Sequence, residues 1–113
     1  MTDRELLELA AKAAGVDWIK DCVWIENGFY SPLAKHERIA WNPLNDDGDA
    51  LRLAVRLGLA IRALEKCVYV ESDPETLLGQ SSVSELEMYK GDPYAATRLA
   101  IVRAAAEIGK GME

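Results

Sequence analysis

Two short stretches constrain the fold of this chain more than any other feature. The first is Trp41-Asn42-Pro43-Leu44-Asn45-Asp46-Asp47-Gly48-Asp49, and the second is Gly91-Asp92-Pro93-Tyr94. In each, a proline and carboxylates precede an apolar-periodic run. Proline stops an extended segment and suits the first helical turn, and carboxylates there cap amides and oppose the helix dipole. Helices must therefore begin near both segments. Each also carries arginines: Arg52 and Arg56 on the first, Arg98 and Arg103 on the second.

The remaining elements follow from local signals. Thr2 followed by Glu5 reads as a capping box, and Leu6, Leu9, Ala10 and Ala13 recur at helical spacing up to Gly15. That predicts a first helix over residues 3–14. Residues 16–31 read as a hairpin turning at Asn27-Gly28, with a short strand at 39–41. The second helix runs on Leu51, Leu53, Ala54, Val55 and Leu57 to Gly58. Residues 59–70 give one or two strands, and 71–80 a loop. The alternation over 82–89 predicts a half-buried strand with its polar side outward. The third helix has Asp92 as cap, Pro93 at N1, a core face of Ala96, Leu99, Ala100, Val102 and Ile108, and its end at Gly109, followed by a frayed tail at 110–113. The expected fold is α+β: one domain over residues 1–113, with an antiparallel sheet of about four to five strands packed with three helices in an α-β-α sandwich-like arrangement.

Composition narrows the function. The 113 residues are half apolar and 28% charged, ordinary for a globular domain. No apolar run approaches the roughly 20 residues that cross a bilayer, and the N-terminus does not read as a signal peptide, so no membrane partner and a cytoplasmic location are expected. Cys22 and Cys67 read as buried free thiols, and His36 as a surface loop residue, so no metal site is expected. A net charge of −6 argues against direct binding of duplex nucleic acid.

No nucleophile elbow, P-loop, dinucleotide fingerprint or zincin motif is present. The carboxylates Asp46, Asp47 and Asp49 lack the terminal Glu of a calcium loop and read as helix caps. With no catalytic set, the chain reads as a non-enzyme with no cofactor. What remains is binding chemistry. Arginine offers a fork of donors matched to phosphate, and aromatic faces stack on any base. Arg98 and Arg103 are therefore candidate phosphate contacts, and Trp41 and Tyr94 candidate stacking faces. The bland alternatives are a solvated helix face paired with carboxylates for the arginines, and core packing for the aromatics.

The segment Trp41 to Ala50 and the closing Ala100-Ile101-Val102-Arg103-Ala104-Ala105 resemble small phage and prophage proteins, the phage α-β-α sandwich domain family. Members of this family include the Thoeris anti-defence sponges, which hold cyclic nucleotide immune signals such as cyclic ADP-ribose isomers without cleaving them, and act as homo-oligomers. The resemblance spans roughly residues 5–109. It implies a counter-defence protein of the host bacterial cytoplasm that sequesters such a signal, with Arg103 as the matching final-helix arginine. An alternative from charge is an acidic inhibitor that covers a basic surface, as an anti-CRISPR does, through Glu71, Asp73, Glu75, Glu85, Glu87 and Asp92. The strand over 82–89 and three tryptophans also leave room for an edge-to-edge or face-to-face dimer.

Overall fold

The computed structural model describes residues 1–16, 23–25, 28–30, 40–72 and 83–112. Its elements are α1 (Asp3–Ala14), β1 (Val23–Ile25), β2 (Gly28–Tyr30), β3 (Ala40–Trp41), α2 (Asp47–Leu57), β4 (Leu59–Ala63), β5 (Cys67–Ser72), β6 (Ser84–Met88) and α3 (Pro93–Lys110). The chain is α+β with three helices, as the local signals imply. Among the described residues the strands form two antiparallel sheets of three, ordered β1-β2-β3 and β4-β5-β6, and not the expected single sheet of four to five. The Pro43 turn and α2 stand between β3 and β4 in the chain.

Helix boundaries follow the caps. The Thr2 hydroxyl accepts from the Glu5 amide at 3.2 Å and donates back to the Glu5 carboxylate at 3.1 Å. The Glu5 carboxylate thus meets the cap's hydroxyl rather than its amide. Asp46 accepts from the Asp49 amide at 2.7 Å, and Asp92 from the Ala95 amide at 3.0 Å. Gly15 and Gly58 end α1 and α2 in the left-handed region, with φ of 71° and 65°. The Arg56 guanidinium on α2 donates to the Ala14 carbonyl, satisfying one of the carbonyls that the end of α1 leaves open.

The long helix α3 is the centre of the molecule. Ala96, Ala100, Ile101, Val102, Ala104, Ala105, Ala106 and Ile108 are all buried along it. It packs against α1 through that helix's Leu7, Ala10, Ala11 and Ala14, against α2 beside it, and against β5 and β6 on another side. The sequence places Gly109 at the helix end, but α3 continues through it to Lys110. Packing explains the glycine: a β-carbon there would overlap the Leu9 carbonyl oxygen and stand 2.9 Å from its carbonyl carbon. The segment expected to fray is also held, since Lys12 donates to the Met112 carbonyl at 2.8 Å and Met112 packs on the core.

Among the described residues, α3 packs on one face of the β4-β5-β6 sheet through β5 and β6. Val68, Val70 and Ser72 of β5 point to the helices and are buried. The cross-strand partners of Val70 are Ile61 and Glu85, and those of Val68 are Ala63 and Glu87. Glu85 and Glu87 therefore face α3, while Leu86 and Met88 face outward at 53% and 49% exposure. This reverses the orientation expected for residues 82–89. Hydrogen bonds at both ends fix the register. Ser72 and Val83 bond twice, at 2.8 and 2.7 Å. At the other end, the Tyr89 amide donates to Lys66 and its hydroxyl to Leu64.

Two further expectations shift. On α2 the buried stripe is Ala50, Leu53, Ala54 and Leu57, leaving Leu51 and Val55 exposed. Gly28 pairs with Ile25 as the first residue of β2, rather than sitting in the turn. Asn27, Cys22 and His36 lie outside the described residues.

Gly109→Ala is expected to destabilise the fold. Alanine gains about 1 kcal/mol of helix propensity. Backbone overlap in a packed interface costs about 1–3 kcal/mol, at the upper end where a helix must shift. The net loss should lower the thermal midpoint by several degrees. An unchanged or raised midpoint would show that α1 and α3 are not in this contact.

Candidate functional site

The four candidate residues separate into three environments. Trp41 pairs across the strands with Phe29, which in turn pairs with Trp24. The Trp24 and Phe29 rings meet edge to face at 4.9 Å between centroids. Trp41 is only 9% exposed and belongs to the core, near Ala14, Leu53 and Arg56. Its role is packing, as large aromatics on a sheet often serve.

Arg103 lies on the far side of α3 from Tyr94, since nine residues at 100° each make half a turn. It forms an ion pair with Glu87 of β6, whose side chain is 13% exposed. This contact gives the inward Glu87 its countercharge, so Arg103 holds the strand to the helix. Glu85 beside it has no such direct partner among the described residues. Desolvation raises its pKa, and Glu107 and Glu87 add to the rise against the pull of Arg103 and Lys110.

Tyr94 and Arg98 come together. They are one helical turn apart on α3, with Thr97 and Ile101 on the same stripe. With Asp47, Ala50 and Leu51 of α2 and Ile61 of β4 they line a groove of about 360 Å³. That is the lower range of volumes that hold small molecules. The floor is aliphatic. Tyr94 stands at the rim, 69% exposed. Sequence periodicity assigns Leu51 to the core and gives no role to Ile61, Thr97 or Ile101. The i,i+3 and i,i+4 spacing from Tyr94 identifies Thr97, Arg98 and Ile101 as one stripe, but only the fold brings α2 and β4 to it.

The polar end of the groove is defined by Arg98, whose side chain is 18% exposed. Its Nε donates to the Leu44 carbonyl at 2.8 Å, which locks the guanidinium against the turn before α2. Its Nη1 meets the Asp47 carboxylate at 2.6 Å, and Nη2 has no partner among the described residues. Asp47 is 71% exposed, so this pair is worth about 0–1 kcal/mol. An incoming anion can therefore replace Asp47 at small cost while Leu44 keeps the guanidinium aimed. The Thr97 hydroxyl donates to the Pro93 carbonyl at 2.7 Å.

The two arginines of α2 serve the fold: Arg52 pairs with Asp49 at 2.7 Å, and Arg56 holds the end of α1. Asp46 and Asp49 are likewise occupied as cap and as acceptor for the Asn42 amide at 3.0 Å. No group of three His, Cys, Asp or Glu among the described residues is placed to hold a metal. No helix among them is long and apolar enough to cross a membrane. Cys67 is a free thiol that is partly rather than fully buried.

The Glu85 environment gives a pH test. A carboxyl whose native pKa is raised adds stability that is fully present below its unfolded value, near 4.5, and lost as pH rises through the native value. At neutral pH its charge therefore opposes folding. Glu85→Gln should raise the thermal midpoint at pH 7, and the gain should vanish near pH 4. A midpoint lowered at pH 7 would show that the Glu85 charge is compensated.

No protein-family model, no curated protein and no solved structure matches this chain.

Proposed function

We propose that this protein binds a planar, negatively charged small molecule in the groove between α2, α3 and β4 and holds it without chemical change. The observation that carries this reading is Tyr94 standing exposed beside an aimed Arg98 over an aliphatic floor. The tyrosine face stacks on a ring, the guanidinium takes a phosphate in place of Asp47, and Leu51, Ile61 and Ile101 cover the ring's other edges. The resemblance to phage α-β-α sandwich proteins supplies the ligand class, a cyclic nucleotide or cyclic ADP-ribose-like immune signal. It also supplies the biological role, a sponge that counters host defence in the bacterial cytoplasm. In this reading Tyr94 and Arg98 make the contacts. Trp41 and Arg103 support the fold that presents them.

The acidic-inhibitor alternative draws less support. It needs its carboxylates on one open face, whereas Glu87 is turned inward to Arg103 and Glu85 is half-buried against α3. Asp92 is engaged as a helix cap.

Thermal unfolding against a panel of cyclic dinucleotides, cyclic trinucleotides and cyclic ADP-ribose isomers tests the proposal. A ligand at about 100 times its Kd stabilises by about 2.7 kcal/mol, a shift of several degrees. Tyr94→Ala should abolish that shift and leave the unliganded midpoint nearly unchanged, because the side chain is mostly in solvent. Asp47→Asn should strengthen binding, since it removes the carboxylate that competes for Arg98. No shift with any compound, or a shift indifferent to Tyr94→Ala, would overturn the assignment.

A further inference from the structure

A second recess, of about 200 Å³, opens where the end of α1, β3 and α2 meet. Ala14, Val16, Leu53 and Trp41 give it apolar walls, and Arg52 and Arg56 complete it. The two arginines are i,i+4 neighbours on α2, so their side chains share one stripe of that helix. They differ in countercharge. Arg52 is paired with Asp49 at 2.7 Å and lies 3.9 Å from Asp46. Arg56 has no carboxylate within ion-pair distance among the described residues. Its Nε closes the end of α1 by donating to the Ala14 carbonyl. The N–H groups on Nη1 and Nη2 have no partner among the described residues, although capping a carbonyl needs only one donor. A β-carbon on Gly15 would stand 3.5 Å from Nη2, so the guanidinium lies directly on the helix end, fixed in direction by its Nε bond.

We propose that this recess is a second binding site, for a small organic anion: a carboxylate or phosphate carried on a single flat apolar ring. The local field favours the anion. The end of α1 contributes about half a negative charge. Against it stand the full charge of Arg56 and that of Lys12 in the same last turn, where the Lys12 partner is a neutral carbonyl. The fixed Arg56 leaves its end-on fork, Nη1 with Nη2, to meet two oxygens of one headgroup. Trp41, Leu53 and Val16 then receive the apolar body. Size sets the limit on that body. A dry apolar cavity of about 150 Å³ takes up benzene, and sites for larger organic ligands begin at about 300 Å³. The recess therefore fits one ring and its headgroup. It shares no lining residue with the groove at Tyr94 and Arg98, so the proposal stands apart from the function assigned to that groove.

Titration of isotopically labelled protein with benzoate and with phenyl phosphate, from about 0.1 to 10 mM, tests it by nuclear magnetic resonance. A ligand of about ten heavy atoms should bind with a Kd of about 1 mM or tighter. The methyl groups of Ala14, Val16 and Leu53 and the indole N–H of Trp41 should shift. Benzamide, the neutral analogue of benzoate, should bind at least about tenfold more weakly, because it brings no charge to Arg56. Whichever of the two anions binds more tightly identifies the headgroup, and either order supports the site. Arg56→Gln should abolish binding. Because that change also weakens the cap on α1, Arg56→Lys is the companion variant: it keeps a cation and a donor for Ala14 but loses the fork, and should bind about tenfold more weakly while its amide spectrum stays that of the folded protein. No shifts up to 10 mM overturn the proposal. So does benzamide binding as well as benzoate, wild-type affinity in Arg56→Lys, or shifts at Leu51 and Ile61 in place of Val16 and Leu53.

Discussion

The contact between α1 and α3 sets the dimensions of the rest of the molecule. Gly109 brings the two helix backbones together where a β-carbon would collide with Leu9, and the alanines of both helices keep that approach close along their length. Small residues bury little area each, but they allow many dispersion contacts and leave few voids. With α1 tight on one side, α3 is free to bury Val68 and Val70 of the sheet on another and Leu53 and Leu57 of α2 beside them. A helix buried nearly all round needs anchors at its ends. Asp92 and Pro93 supply one, and the Lys12 bond to the Met112 carbonyl supplies the other.

That central position explains why the arginines of α3 differ. Arg98 is near the start of the helix, where the packing still leaves a groove, and its guanidinium is held by a backbone carbonyl with only an exposed carboxylate beside it. Arg103 is farther along, opposite β6, and neutralises the inward Glu87. The same residue type thus stands beside an exposed carboxylate at one turn and attaches a strand at another. The countercharges differ: Asp47 beside Arg98 is 71% exposed, whereas Glu87 beside Arg103 is 13% exposed and costs more to leave unpaired.

Much of the local structure is legible in the sequence because caps and turns act over a few residues. Thr2, Gly15, Asp46, Gly58, Asp92 and Pro93 mark the helix ends within a residue or so. Signals that depend on distant partners are not legible in this way. Gly109 carries the local mark of a helix stop, and only the presence of Leu9 across the interface turns it into a packing position. The alternation over 84–88 defines two faces correctly, yet it does not say which one meets α3, because that depends on Arg103 and on hydrogen bonds to Ser72, Leu64 and Lys66. The division into two sheets is likewise a matter of long-range pairing. For the site, the stripe of Tyr94, Thr97, Arg98 and Ile101 follows from helical spacing alone. The walls from Leu51 and Ile61 do not, because their local patterns suit burial equally well.

The central functional claim is that the α2–α3–β4 groove is the ligand site. The most direct measurement is a nuclear magnetic resonance titration of isotopically labelled protein with cyclic nucleotides and cyclic ADP-ribose isomers, followed by amide and methyl shifts. Perturbations confined to Asp47, Leu51, Ile61, Tyr94, Thr97, Arg98 and Ile101 are expected, with Trp41 and Arg103 unmoved. Perturbations centred on Arg103 and Glu87, or none with any compound, would contradict it.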